Sequence, residues 1–193
     1  MMNLWLVRHA RPLVAPGICY GALDVPADAA ATQAAAQRLA AALPAGARVA
    51  HSTLQRCELL ALTLQALRPD LTLQPDARLR EMDFGAWEGR AWDAIGQSAI
   101  DAWVADFATH APGGGEHLGA MLQRVASALQ DAQQTPAADV VWITHAGVAR
   151  CVAWLQQQGA AALPRAADWP VAAPDFGAWE TRSLIRVCIQ SDN

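Results

Sequence analysis

Leu4-Trp5-Leu6-Val7-Arg8-His9 decides how the chain is read, because four apolar residues end abruptly in a guanidinium and an imidazole. A short run without polar alternation suits a strand covered on both faces of an α/β sheet, and ligands of such sheets collect beyond the carboxyl ends of the strands. His9 is thereby a candidate phosphoryl acceptor and Arg8 its candidate anion clamp. A strand running out into solvated polar residues explains the same dipeptide, so the weight falls on what lies downstream. Asp139 to Thr144 contains Val140-Val141-Trp142-Ile143, a second buried strand, and it ends in Thr144-His145. The design of the first strand is repeated.

Around these two strands the pattern alternates. Asp28 is placed to cap a helix through the Ala-rich segment to about Leu43, where Pro44 and Gly46 stop it. Arg48 to Ala50 reads as a strand, Ser52 or Thr53 as the cap of a helix to about Leu67, and Leu71 to Leu73 as a further strand. Trp92 to Phe107 reads as helix, and Pro112-Gly113-Gly114-Gly115 as a loop. Glu116 or His117 opens a helix to about Gln134, with Leu118, Leu122, Val125 and Leu129 on one face. Ala146 to Gln158 is helical, Gly159 to Pro174 is a loop, and Gly177 to Glu180 with Ser183 to Ile189 form a final pair of strands. This order predicts an α/β fold: a three-layer αβα sandwich with a mostly parallel central sheet, helices on both faces and antiparallel pairing near the end.

The chain has 193 residues, 53% of them hydrophobic, which is enough to bury the core of one domain spanning 1–193. Its formal charge of −4 and lack of a basic run exclude a nucleic-acid or anionic-membrane surface. No stretch approaches the roughly 20 apolar residues of a membrane span, so a soluble cytoplasmic protein is expected. Cys19, Cys57, Cys151 and Cys188 lack the paired spacing of a zinc site and read as reduced thiols, so neither a metal nor a cofactor is expected. Fourteen arginines and no lysine remove the phosphate-loop lysine, Schiff-base chemistry and the kinase lysine together. Phosphate recognition falls to Arg, His and backbone amides, and the planar Arg fork suits it.

Four clusters carry chemistry: Arg8-His9, Ser52-Thr53-Leu54-Gln55-Arg56-Cys57, Leu79-Arg80-Glu81-Met82-Asp83-Phe84-Gly85-Ala86-Trp87-Glu88-Gly89 and Thr144-His145-Ala146-Gly147. Their order and spacing resemble the histidine phosphatase superfamily, the phosphoglycerate mutase-like fold, over residues 4 to about 150. The resemblance implies that His9 is the nucleophile. It further implies that Arg8, Arg56 and His145 hold the phosphoryl oxygens, aided by amides near Ala146 and Gly147, and that Glu81 gives the leaving group its proton. Asp83 and Glu88 stay open as alternatives to Glu81. His51, His110 and His117 read as bystanders, although His117 follows the Gly-rich loop and is placed to approach a substrate.

Gly21 and Asp24 match a first-loop element that shapes the pocket wall, and Glu116 matches a glutamate that lines it. The chain departs from the family where Ala10, Arg11 and Ala15 replace a glycine, a glutamate and an asparagine. Arg11 therefore either replaces a missing phosphate ligand or contacts a second anionic group, with a solvated arginine as the plain alternative. The short length favours hydrolysis over mutase chemistry. The stretch from Gly17 to Asp24 resembles the α-ribazole phosphatase branch, which implies a small phosphorylated metabolite such as α-ribazole 5'-phosphate as partner. A non-catalytic phosphate-binding protein and a cofactor-dependent phosphoglycerate mutase are the rivals, and both monomer and homodimer stay open. Trp87, Trp92 and Trp103 read as core or as a stacking surface.

Overall fold

The computed structural model describes residues 1–186. Five strands, β1 (Met2–Arg8), β2 (Arg48–His51), β3 (Leu73–Pro75), β4 (Asp139–Thr144) and β5 (Trp179–Leu184), form one sheet in the order β3-β2-β4-β1-β5. β1, β2, β3 and β4 run parallel, and β5 pairs antiparallel with β1 along the edge. The fold is the mostly parallel α/β sheet that the alternation predicts.

Side-chain alternation along the strands assigns each helix to a face. Leu4 and Leu6 of β1, with Val140 and Trp142 of β4, pack against α4 (Leu118–Gln134) and α5 (Ala146–Gln158) through Leu122, Val125 and Val152. Val7, Val141 and Ile143 point the other way, onto α1 (Ala29–Ala42) and α2 (Gln55–Leu67) through Ala36, Leu39, Leu60 and Leu64. Burying both faces explains why β1 and β4 read as unbroken apolar runs. Their parallel register pairs Arg8 with Thr144, so the two strands deliver Arg8-His9 and Thr144-His145 side by side at one end of the sheet.

Local chemistry sets the helix ends. Asp28 Oδ1 accepts from the Ala31 N–H, and His117 Nδ1 accepts from the Ala120 N–H, 3.0 Å away. His117 is thus the cap of α4 and is absent from the cavity described below. Neither Ser52 nor Thr53 caps α2. Asp24 reaches across from the first loop, and its Oδ1 accepts from the Gln55 N–H at 2.8 Å. The predicted helix over Trp92 to Phe107 divides into a single turn at 92–94 and α3 (Gln97–Ala105), because Gly96 sits at φ +92° between them. The predicted pair of final strands is one strand, β5, and residues 187–189 of that expectation, with Cys188, lie outside the described residues. Among the described residues, no helix is long and apolar enough to cross a membrane.

Candidate active site

A cavity of about 340 Å³ opens beyond the carboxyl ends of β1 and β4. Arg8, His9, Arg56, Glu81, His145, Ala146 and Gly147, distant in sequence, line it together. β1 carries Arg8 and His9 to its edge, the first turn of α2 presents Arg56, and the β4–α5 junction supplies His145 and the amides after it.

His9 is 2% exposed and its Nδ1 lies 2.7 Å from the Ala10 carbonyl oxygen. A carbonyl only accepts, so Nδ1 carries the proton and Nε2 keeps its lone pair. Burial, with the Arg56 and Arg8 guanidiniums alongside, pushes the imidazole down to about 3, so the ring is neutral at physiological pH. The His145 ring centroid is 5.1 Å from that of His9. His145 Nε2 is 2.9 Å from Ser52 Oγ and 3.5 Å from Cys57 Sγ, and burial followed by the charges around it holds His145 well below its ordinary value. Cys57 is itself sealed in: burial pushes its thiol up, which leaves it a packing and hydrogen-bonding group.

Arg56 is fully buried and held in a fixed pose. Its Nη1 donates to the Leu23 carbonyl at 2.8 Å and its Nη2 to that of Gly21 at 2.5 Å. Arg8 Nη1 donates to the Pro174 carbonyl at 3.1 Å. Among the described residues neither arginine has a carboxylate within ion-pair distance, and the Nε of each is buried without a partner. A buried N–H left unpaired costs about 1–3 kcal/mol, a cost that an anionic oxygen brought within reach would offset.

Among the described residues, Glu81 contributes the one carboxylate that lines the cavity. Its Oε1 accepts from the Met82 N–H and its Oε2 from the Gly147 N–H in the first turn of α5, each at 3.0 Å. These two bonds aim the group. Asp83 is exposed and turns back to accept from the Gly85 N–H. Glu88 accepts from the backbone N–H groups of Gly21, Ala22, Leu23 and Phe84, a staple for the first loop that leaves it away from the cavity.

Three further expected contacts fall elsewhere. Arg11 is exposed and does not line the cavity; its carbonyl accepts from the Asp28 N–H. Glu116 faces away, because Arg124 Nε and Nη2 hold both its oxygens at 2.7 and 2.8 Å; the same guanidinium donates to the carbonyls of Arg78, Arg80 and Glu81. The pair therefore braces the backbone that carries Glu81. Gly21 holds Arg56 through its carbonyl and packs so tightly that a Cβ there would lie 1.9 Å from the Met82 carbonyl oxygen. Among the described residues, no three His, Cys, Asp or Glu side chains cluster to hold a metal ion.

The rest of the cavity wall is mostly apolar, and much of it is absent from the four clusters. Phe84, Trp92 and Trp103 face Phe107 and Trp169 in a continuous series of ring contacts: Phe84 lies edge-on to Trp92, Trp92 is stacked 6.4 Å from Trp103, and Phe107 bridges Trp103 to Trp169. Trp87 instead packs into the core with Cys19 and Ile95. Tyr20 and Arg150 also line the cavity. Arg150 lies one helical turn after Gly147, a spacing that puts both on one face of α5 and is the signal by which sequence could have found it.

The chain matches the family model of the histidine phosphatase superfamily (branch 1) over residues 4–172. No curated protein matches. Among solved structures it is similar to the mycobacterial glucosyl-3-phosphoglycerate phosphatase, with 25% identity, a TM-score of 0.73 and coverage of 93% of this chain and 89% of that one. The same enzyme in complex with VO3 gives 26% identity and a TM-score of 0.75, with coverage of 95% and 93%. Protein TTHB049 of Thermus thermophilus gives 29% identity and a TM-score of 0.70, with coverage of 97% and 100%.

Proposed function

Because the chain belongs to the histidine phosphatase superfamily (branch 1), we propose that it is a metal-independent phosphomonoesterase working through a phosphohistidine on His9. The observation that carries this reading is the neutral His9 ring, with Nδ1 tied to Ala10 and Nε2 free at a cavity rimmed by two guanidiniums that, among the described residues, have no carboxylate partners. The Nε2 lone pair attacks phosphorus in line. As the phosphorus–oxygen bond to the alcohol breaks, Glu81 gives the departing oxygen its proton. Water then attacks the phosphohistidine and gives a proton to Glu81, which restores its acid form, as the phosphorus–nitrogen bond breaks and orthophosphate leaves.

Charge on the three equatorial oxygens falls to Arg8, Arg56 and His145, with the amide of Ala146 at the N-terminus of α5, while the Gly147 N–H stays with Glu81. Removing one such donor costs on the order of 3 kcal/mol, about a hundredfold in rate. The phosphohistidine formed on Nε2 would leave its positive ring beside the Ala10 carbonyl oxygen, which favours the intermediate.

For the alcohol, the aromatic wall favours a small phosphorylated metabolite with a flat apolar part, and α-ribazole 5'-phosphate is the leading candidate. Arg150 favours a second reading, in which the alcohol carries an anionic group as a phosphoglycerate ester does. A substrate panel containing both, with p-nitrophenyl phosphate and a chelator present, tests the proposal. Hydrolysis in the wild type that disappears in His9→Ala supports it. Phosphate binding without turnover, or transfer that depends on a bisphosphate primer, overturns it.

A further inference from the structure

Segment 174–178 lies beyond the stretch matched to the family and closes over the nucleophile from the side of the sheet that α1 covers. The Gly177 N–H is 3.1 Å from the Arg8 carbonyl oxygen and 3.0 Å from that of His9, and Arg38 Nη2, on α1, donates to the Gly177 carbonyl at 3.0 Å. This fastening sets the Phe176 ring against the Arg8 guanidinium, whose Cζ lies 3.8 Å from the ring centroid. The same ring is 5.5 Å from the His9 ring, inclined at 43°. Arg8 donates to the Pro174 carbonyl and has the Tyr20 side chain beside it, but it has no ion pair among the described residues, so the aromatic face is a principal constraint on the plane of its fork.

We propose that Phe176 is a positioning residue of this site, holding the Arg8 guanidinium in register with His9 and keeping bulk water off both. The inference rests on the phosphomonoesterase reading for its kinetic consequences, and on geometry alone for its effect on anion binding. A ring stacked on a guanidinium still leaves the N–H edge free to meet a phosphoryl oxygen. An aliphatic side chain of similar volume fills the space but offers the cation no π face.

Phe176→Leu and Phe176→Tyr separate the two roles, with melting temperature as the control for folding and Phe176→Met in reserve should the leucine variant not fold. The tyrosine variant is expected to stay within about twofold of wild type, whereas leucine loses about tenfold in both kcat/KM on p-nitrophenyl phosphate and affinity for orthophosphate, the size a partly desolvated cation–π contact carries. Wild-type values in Phe176→Leu, or equal losses in leucine and tyrosine, would overturn the proposal. Orthophosphate affinity is read by calorimetry, so it reports on Phe176 even in a chain without turnover. Failure of the phosphomonoesterase reading is thereby distinguishable from failure of this one.

Discussion

Gly147→Ala tests the contribution of Glu81 by displacing its carboxylate rather than replacing it. A Cβ built at 147 would stand 2.0 Å from Glu81 Oε1 and 2.9 Å from its Cδ, with Met121 Cε at 3.1 Å behind. Contacts under 3.0 Å are essentially never seen for a real Cβ, so the carboxylate must retreat by at least 1 Å and release the Gly147 N–H. A displacement of about 1 Å in a group that transfers a proton costs on the order of a hundredfold, or about 2.7 kcal/mol of transition-state stabilisation. The cost should depend on the leaving group. An alkyl phosphate leaves as a strongly basic alkoxide and needs the proton, whereas p-nitrophenolate leaves readily without it. The assay is kcat/KM by phosphate release for both substrates, in wild-type and Glu81→Ala backgrounds. The alkyl ester should lose about a hundredfold and the nitrophenyl ester no more than about fivefold, and the substitution should add little once Glu81 is alanine. Equal losses for both esters, or a full loss in the Glu81→Ala background, would refute a role through Glu81.

Two further outcomes are expected. His9 is held down at about 3 by burial first and then by Arg56, while in the unfolded chain it titrates near 6.5. Its contribution to stability is therefore whole above pH 6.5 and is lost as the pH falls toward 3; nitrogen-15 spectra of the folded protein should show a neutral Nδ1–H ring from about pH 7 down to about 4.5, titration near 6.5 would contradict the lowering by burial, and a neutral ring protonated on Nε2 would contradict the tautomer. Glu88→Ala strands four backbone N–H groups that anchor the loop holding Arg56, costing on the order of 3 kcal/mol and about 6–12 °C in Tm. An unchanged melting temperature would show that the staple is dispensable.

Local signals make the central strands and several helix ends readable. Unbroken apolar runs mark β1 and β4 because both faces of each are covered, and Asp28 and His117 sit where caps belong. The cap of α2 escapes because Asp24 supplies it from 31 residues away, a contact that no local pattern encodes. The same limit governs the acidic residues. Asp83 and Glu88 stand in one motif with Glu81, and only the fold shows one turning back to Gly85 and the other stapling the first loop. Glu116 and Arg124 are eight residues apart on a loop and a helix, and their bidentate pairing turns a residue expected at the pocket into a brace behind it. Arg11 is ambiguous in sequence because adjacency to His9 says nothing about direction once the strand has ended. Phe176 belongs to a Pro- and Ala-rich segment without periodicity, and its place against Arg8 depends on the Gly177 N–H meeting the carbonyls at the end of β1.

The most direct measurement is rapid acid-free quenching of the protein during turnover of a phosphorus-32 ester, followed by mapping of the label. Wild-type chain should carry an alkali-stable, acid-labile phosphoryl group on His9, and with a nitrophenyl ester, whose departure does not need the Glu81 proton, Glu81→Ala should accumulate more of it because hydrolysis of the intermediate is slowed. A turning-over protein with no trapped label, or label of equal amount in His9→Ala, would contradict a phosphohistidine at this position.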